Sequence, residues 1–200
     1  IEEQVDEVRA KEMLVSYLRH HFGIRNIDLY LDLYSDMRMA YEMTDGLDTQ
    51  DTVSSICSSL HGKIRTNEEA LLLLRLMEFC SADGLENEAI FRTMAEKFSI
   101  PQSQYDDFYR YVTNQPSERI MLHQPEGFDG QLKTLLDGMT GMLSFTYMGT
   151  DTVLLNDVPV FPGAYQVWLQ SSVLKGINGK PIYYSTIASA YSRKAGKADD

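Results

Sequence analysis

The chain has 200 residues, of which 44% are hydrophobic and 24% charged, and its net charge is −11. That length suffices for one large or two small domains, and the composition predicts a packed core rather than a disordered chain. Residues 1–124 carry 12 Lys+Arg against 22 Asp+Glu, and residues 125–200 carry 6 against 7, so the acidity belongs to the first part, where it repels phosphate backbones and speaks against general nucleic-acid binding.

In chain order, the opening "IEEQVDEVRAKE" is acidic where a secretory leader would be basic, and it lacks an initiating Met. The expectation is no signal peptide and a processed or excised start. "KEMLVSYLRHHFG" then sets Leu14, Val15, Leu18 and Phe22 on one helical stripe. "IDLYLDLYSDMRMAYEM" repeats the habit through Ile27, Tyr30, Leu31, Tyr34, Met37 and Tyr41. A third helix is expected from about Asp48 through Val53, Ile56, Cys57 and Leu60. In "TNEEALLLLRLMEFC", Thr66 stands three residues before Glu69, the spacing of a capping box in which each side chain satisfies the other's free backbone N–H. The all-round apolarity of residues 70–77 predicts a helix buried on most sides. That run is interrupted by Arg75 and is far shorter than the roughly 20 residues a membrane helix needs. "ENEAIFRTMAEKF" and "PQSQYDDFYRYV" read as two further helices, with Pro101 suited to a first helical turn.

Residues 114–130, "NQPSERIMLHQPEGFDG", hold two prolines and two glycines and read as a connector. From residue 131 the grammar changes to short runs rich in Val, Thr, Tyr and Phe: "QLKTLLDG", "MLSFTYMG", "DTVLLNDVPV", "AYQVWLQ" and "PIYYSTIASAY". Separated by Gly, Pro, Asn or Asp at roughly ten-residue spacing, they predict strands, although "QLKTLLDGM" also fits a helix. The expected organisation is a helical domain over 1–113, a connector over 114–130, a small β-rich module over 131–192 and a frayed polar tail over 193–200. The fold class is therefore α+β. Cys57 and Cys80 sit inside helical patterns with no Cys or His at zinc spacing, so they read as buried free thiols, which suits a reducing cytoplasm.

The helical part contains a repeat. Aligning Glu12 with Glu88 lays "EMLVSYLRHHFGI" over "EAIFRTMAEKFSI" without a gap, and each unit is an amphipathic helix ending in Phe, a small residue and Ile. The stretch Ala82-Asp83-Gly84-Leu85-Glu86-Asn87-Glu88, followed by that helix, resembles the TerB-like helical domain of tellurite-resistance proteins. The resemblance covers roughly residues 1–113, although the Asp-Gly expected ahead of the first copy is missing. It implies an all-helical domain of two related halves, with metal bound through acids at the positions of Asp83 and Glu88. The later stretch "TVLLNDVPVFPGAYQVWLQSSVLKGINGKPIYYSTI" is similar to a segment between such a helical domain and an ABC-type ATPase domain in some bacterial proteins. Its strand grammar also resembles forkhead-associated sandwiches. The first of these likenesses implies a nucleotide-binding domain following Asp200, and a cytoplasmic protein that reaches the inner membrane face through its parent chain.

Several groups are candidates for chemistry. Asp83, Glu86 and Glu88 suit a hard divalent cation, which wants clustered oxygens. The other reading is a turn at Gly84 with acids favouring the next helix N-terminus. The same pair of readings applies to Asp45, Asp48 and Asp51 in "MTDGLDTQD". Were the two loops to meet, their acids would form one patch for a metal or a basic partner. His20 and His21 are adjacent and cannot face one point on a helix; His61 and His123 are isolated. No nucleophile elbow or Cys-x-x-Cys pattern marks a catalytic centre. "KGINGKP" departs from a phosphate loop, because Pro181 follows Gly179-Lys180 and Gly176 stands too close, so it reads as a hairpin turn. Tyr105, Phe108, Tyr109 and Tyr111 fit core packing or a partner groove, and Trp168 with Tyr183 and Tyr184 fits a small β core. The sequence thus suggests a non-catalytic scaffold or regulatory region of a larger bacterial protein, an ABC-type ATPase, acting through protein contacts. The alternative is a divalent-cation sensor using the acidic loops. Neither a catalytic residue nor an organic cofactor is expected.

Overall fold

The computed structural model describes residues 49–81, 88–177 and 179–196, together with ten isolated helical positions between Val8 and Met39. The chain divides into two compact units, Ile1–Ile56 and Cys57–Asp200. Most of the first two expected helices, and with them the first copy of the repeat, lie outside the described residues. The described chain is mixed α+β, with helices first and β structure after.

The helices follow the apolar spacing. α1 spans Thr49–Leu60, α2 Thr66–Cys80, α3 Glu88–Lys97 and α4 Gln102–Val112. In α2, Ala70, Leu71, Leu73, Leu74 and Met77 are all buried, as the all-round apolar run requires. Its N-terminal box is one residue out of the expected register. Arg65 precedes the helix and its backbone N–H donates to Glu68 Oε2 at 2.7 Å. Glu69, expected in that role, is instead buried and accepts from His61. α3 ends in a Schellman turn: Ser99 has φ 55° and the Ile100 N–H reaches back to the Ala95 carbonyl at 2.8 Å. α4 ends the same way, with Asn114 at φ 59° and the Gln115 N–H on the Arg110 carbonyl. Pro101 is the residue before α4 rather than a member of its first turn. Tyr105, Phe108 and Tyr111 are buried along α4, which makes them packing residues.

The β part consists of two four-stranded antiparallel sheets. Its strands are β1 Ile120–His123, β2 Gln131–Leu136, β3 Leu143–Met148, β4 Val153–Leu155, β5 Val158–Val160, β6 Tyr165–Trp168, β7 Val173–Gly176 and β8 Ile182–Tyr183. The first sheet runs β1-β2-β3-β6 and the second β5-β4-β7-β8. "QLKTLL" is thus a strand, and β1 lies inside the stretch read as connector. The β4–β5 hairpin turns through Asn156 and Asp157, both at positive φ, the backbone that a two-residue type I′ turn demands. The final element corrects another expectation. "PIYYSTIASAY" contributes only two residues to β8, and α5, Tyr184–Gly196, takes over and continues into the stretch read as frayed tail. The reason is the four-residue spacing of Ile187 and Tyr191, which turns both side chains into the core.

Alternation along the strands gives the first sheet two unlike faces. Leu132, Leu143, Phe145, Tyr147 and Trp168 join Val153, Leu155, Val160 and Leu174 of the second sheet, with Ile187 and Tyr191 of α5, in one apolar cluster. No residue of α2, α3 or α4 belongs to that cluster. The opposite face carries Lys133, Leu135, Ser144, Thr146, Tyr165 and Val167, and it meets α2 and α4. Residues 57–194 therefore stack as helices, first sheet, then second sheet with α5.

Candidate functional site

Among the described residues, the buried polar groups Glu78, Gln104, Lys133, Asp137, Ser144 and Thr146 converge on the seam between α2, α4 and the first sheet. At one end, Arg75 and Glu78 stand one turn apart on α2 and pair at 2.8 Å, both largely buried. Together they address the backbone N–H and C=O of a single residue of β6. The Tyr165 N–H donates to Glu78 Oε1 at 2.9 Å, and Arg75 Nη1 donates to the Tyr165 carbonyl. An N–H donates to only one neighbour in an antiparallel ladder, so Tyr165 must be a non-hydrogen-bonded partner of Thr146. The side-chain fork takes the place of an adjoining strand at the edge of the sheet.

In the middle of the seam, Lys133 projects from β2 toward the C-terminus of α4. Its Nζ donates to the Tyr111 carbonyl at 2.8 Å and to Asn114 Oδ1 at 2.6 Å. It also lies 4.6 Å and 5.2 Å from the ring centroids of Tyr111 and Tyr165. Burial pulls the lysine pKa down to about 8. Stabilisation of its charge comes from a helix-terminal carbonyl, an amide oxygen and two aromatic faces. The Tyr111 hydroxyl donates back to the Lys133 carbonyl or meets Thr146 Oγ1, each at 3.1 Å, and burial drives its pKa well up. At the far end, Gln104 of α4 donates to Asp137 at 2.7 Å; the same carboxylate accepts from the Met139 N–H and the Thr140 hydroxyl.

Outside the seam, His61 Nδ1 meets the buried Glu69 carboxylate at 2.9 Å. His123 bonds Thr134, which bonds Tyr191; burial lowers the histidine pKa and raises the Tyr191 pKa to about 12. Asp129 accepts from Tyr147, from the Thr150 N–H and hydroxyl, and from the Asp151 N–H. Those donors, led by the Thr150 hydroxyl, hold its carboxyl well below the usual range. The lysines of "KGINGKP" pair with acids, Lys175 with Asp157 at 3.4 Å and Lys180 with Glu126 at 2.8 Å. Gly179 lies against the Phe128 ring, as a packed hairpin requires. An open groove of about 620 Å³ runs beside α5, lined by Gln170, Tyr184, Ser185, Ala188, Ser189 and Arg193, among others.

Of the acids singled out in the sequence, Asp45, Asp48, Asp83 and Glu86 lie outside the described residues. Glu88 is described; it opens α3, is exposed, and binds Arg92 Nη2 at 2.6 Å one turn on. Asp51 stands in the first turn of α1. Cys57 and Cys80 are buried thiols, and burial raises the Cys57 thiol pKa. Among the described residues, no group of three or more His, Cys, Asp or Glu is placed to hold a metal. Nor does any helix among them have the length and apolarity to cross a membrane. Sequence reading did not single out the seam residues Glu78, Lys133, Asp137 and Thr146. The available signal was charge and hydroxyl inside otherwise apolar runs, Arg75 and Glu78 in α2 and Lys133 in "QLKTLL". Comparison with family models, with curated proteins and with solved structures finds no match.

Proposed function

We propose that this chain is a non-catalytic scaffold or regulatory region of a larger protein, of the TerB-like kind that precedes an ABC-type ATPase domain, and that it acts through protein contacts. One observation carries the reading. The buried charged groups of the seam are taken up in joining helices to sheet: Glu78 by Arg75 and the Tyr165 N–H, Lys133 by Tyr111 and Asn114, Asp137 by Gln104. Groups committed in this way have no open position for a substrate. The resemblance at residues 82–100 and 152–187 supplies the larger context, and a β-sandwich of forkhead-associated type is the finer proposal for the module after residue 120.

The test is calorimetric titration of the 200-residue chain with ATP and with Ca²⁺, Mg²⁺ and Zn²⁺. A scaffold gives no heat with any of them. Metal binding tighter than about 0.1 mM, abolished by Asp83→Ala, would replace this reading with the cation sensor. Saturable ATP binding would refute both.

A further inference from the structure

The seam between helices and first sheet differs in kind from the seam between the two sheets. The sheets meet through an apolar cluster with no contribution from α2, α3 or α4. The helices are fastened by side-chain bonds to the sheet: the Arg75–Glu78 fork, the Lys133 seat, the Tyr111 hydroxyl, the Tyr165 hydroxyl on the Val112 carbonyl, and Gln104 on Asp137. Two buried atoms at this seam have no hydrogen-bond partner, Arg75 Nε and Ser144 Oγ. Buried Leu135 and the Tyr111–Tyr165 ring pair, 5.0 Å between centroids, share this seam with the polar groups, and the helices take no part in the sheet–sheet cluster; a mixed, incompletely satisfied contact of this kind permits relative motion. The link between the layers is short, and Asn114, Gln115 and Pro116 in it are all exposed.

We infer that the helical layer is a hinged cover on strand β6, latched by the Arg75–Glu78 fork, and that the cover opens while the two-sheet core stays intact. The fork supplies one acceptor to the Tyr165 N–H and one donor to the Tyr165 carbonyl, the same complement a neighbouring strand would offer. Strand alternation points the Val167 N–H and carbonyl to the same outward edge as those of Tyr165. Opening therefore uncovers a pairing edge that is closed at Tyr165 in the latched state. This device does not depend on the identity of the parent protein.

Two adjacent amides test it. The Tyr165 N–H is bonded to α2, whereas Gln166, by alternation, is bonded to β3. Native-state hydrogen exchange of the wild-type chain, read by NMR, should show Tyr165 exchanging about tenfold or more faster than Gln166 and Phe145. A thiol placed by Ser144→Cys, buried in the closed state, should be alkylated at a rate that rises about tenfold in the added presence of Arg75→Met, with the Phe145 amide unchanged. Equal exchange at Tyr165 and Gln166, or thiol labelling that rises only together with Phe145 exchange, would show that the layers open only by global unfolding and would overturn the inference.

Discussion

Replacing Lys133 by Met keeps most of the side-chain volume and removes the ammonium, so it isolates what that charge does at the seam. The variant loses donors 2.8 Å from the Tyr111 carbonyl and 2.6 Å from Asn114 Oδ1, and a cation over two rings. Asn114 is exposed and re-pairs with water. The Tyr111 carbonyl, in the last turn of α4 beside a fully buried ring, is left unpaired, which costs about 1–3 kcal/mol. Loss of the ring contacts adds about 0.5–2 kcal/mol. Relief from burying an ammonium offsets part of this, the burial being what lowers the lysine pKa to about 8. The net expectation at neutral pH is a loss of about 2 kcal/mol, or a Tm lower by about 4–8 °C for a chain of this size. Urea and thermal unfolding followed by far-ultraviolet circular dichroism measure it. The sign of the pH dependence gives a second reading. The folded-state pKa is depressed from 10.5, so the folded chain gives up its proton first. From about pH 8 upward the unfolded chain binds more protons, and this group's contribution to stability grows as pH rises. The margin of wild type over Lys133→Met should widen from pH 8 to about 9.5, below the range where tyrosines ionise. A variant as stable as wild type, or a margin that stays flat over that window, would refute the argument.

Gly130→Ala should destabilise by about 3 kcal/mol or more, because a Cβ there would overlap the Met148 carbonyl oxygen and the Gly149 main chain, which cannot rotate aside; equilibrium denaturation checks it. Asp129→Asn tests the loop after β3. The Asp129 pKa is depressed from 3.8 by the Thr150 and Tyr147 hydroxyls, so its contribution is present above that value and is lost as pH falls through the lower folded pKa. Wild type should therefore show an acid-dependent loss of stability below about pH 4 that the Asn variant lacks, measured by thermal melts from pH 6 to 2.

The features most legible in the sequence were those written as periodicity. The buried run of α2 and the aromatic stripe of α4 are spaced as helices, and they are helices. The ending Phe98-Ser99-Ile100, read as part of a repeat, is a Schellman turn whose positive-φ position falls on Ser99. Less legible were features decided by partners distant in the chain. "PIYYSTIASAY" looks strand-like in composition, yet its helix is selected by burial of Ile187 and Tyr191 against the sandwich. Glu69 was assigned a local cap, and a contact with His61 eight residues earlier claims it instead. The seam left little local trace, since Lys133 and Tyr111, or Glu78 and Tyr165, become neighbours only when the layers stack.

The chain has a single tryptophan, Trp168, fully buried beside Phe145 with its indole N–H on the Ser172 carbonyl. Its ring lies in the cluster formed by the two sheets and α5, to which α2, α3 and α4 contribute nothing. Intrinsic fluorescence excited at the red edge of the protein spectrum therefore watches the two sheets and α5, and α2, α3 and α4 are dark in that channel. Held away from water, the indole emits toward the blue, and its red shift marks the melting of the sandwich. Pairing that emission with helical ellipticity makes the wild-type chain its own two-colour instrument, able to separate detachment of the helices from loss of the whole fold.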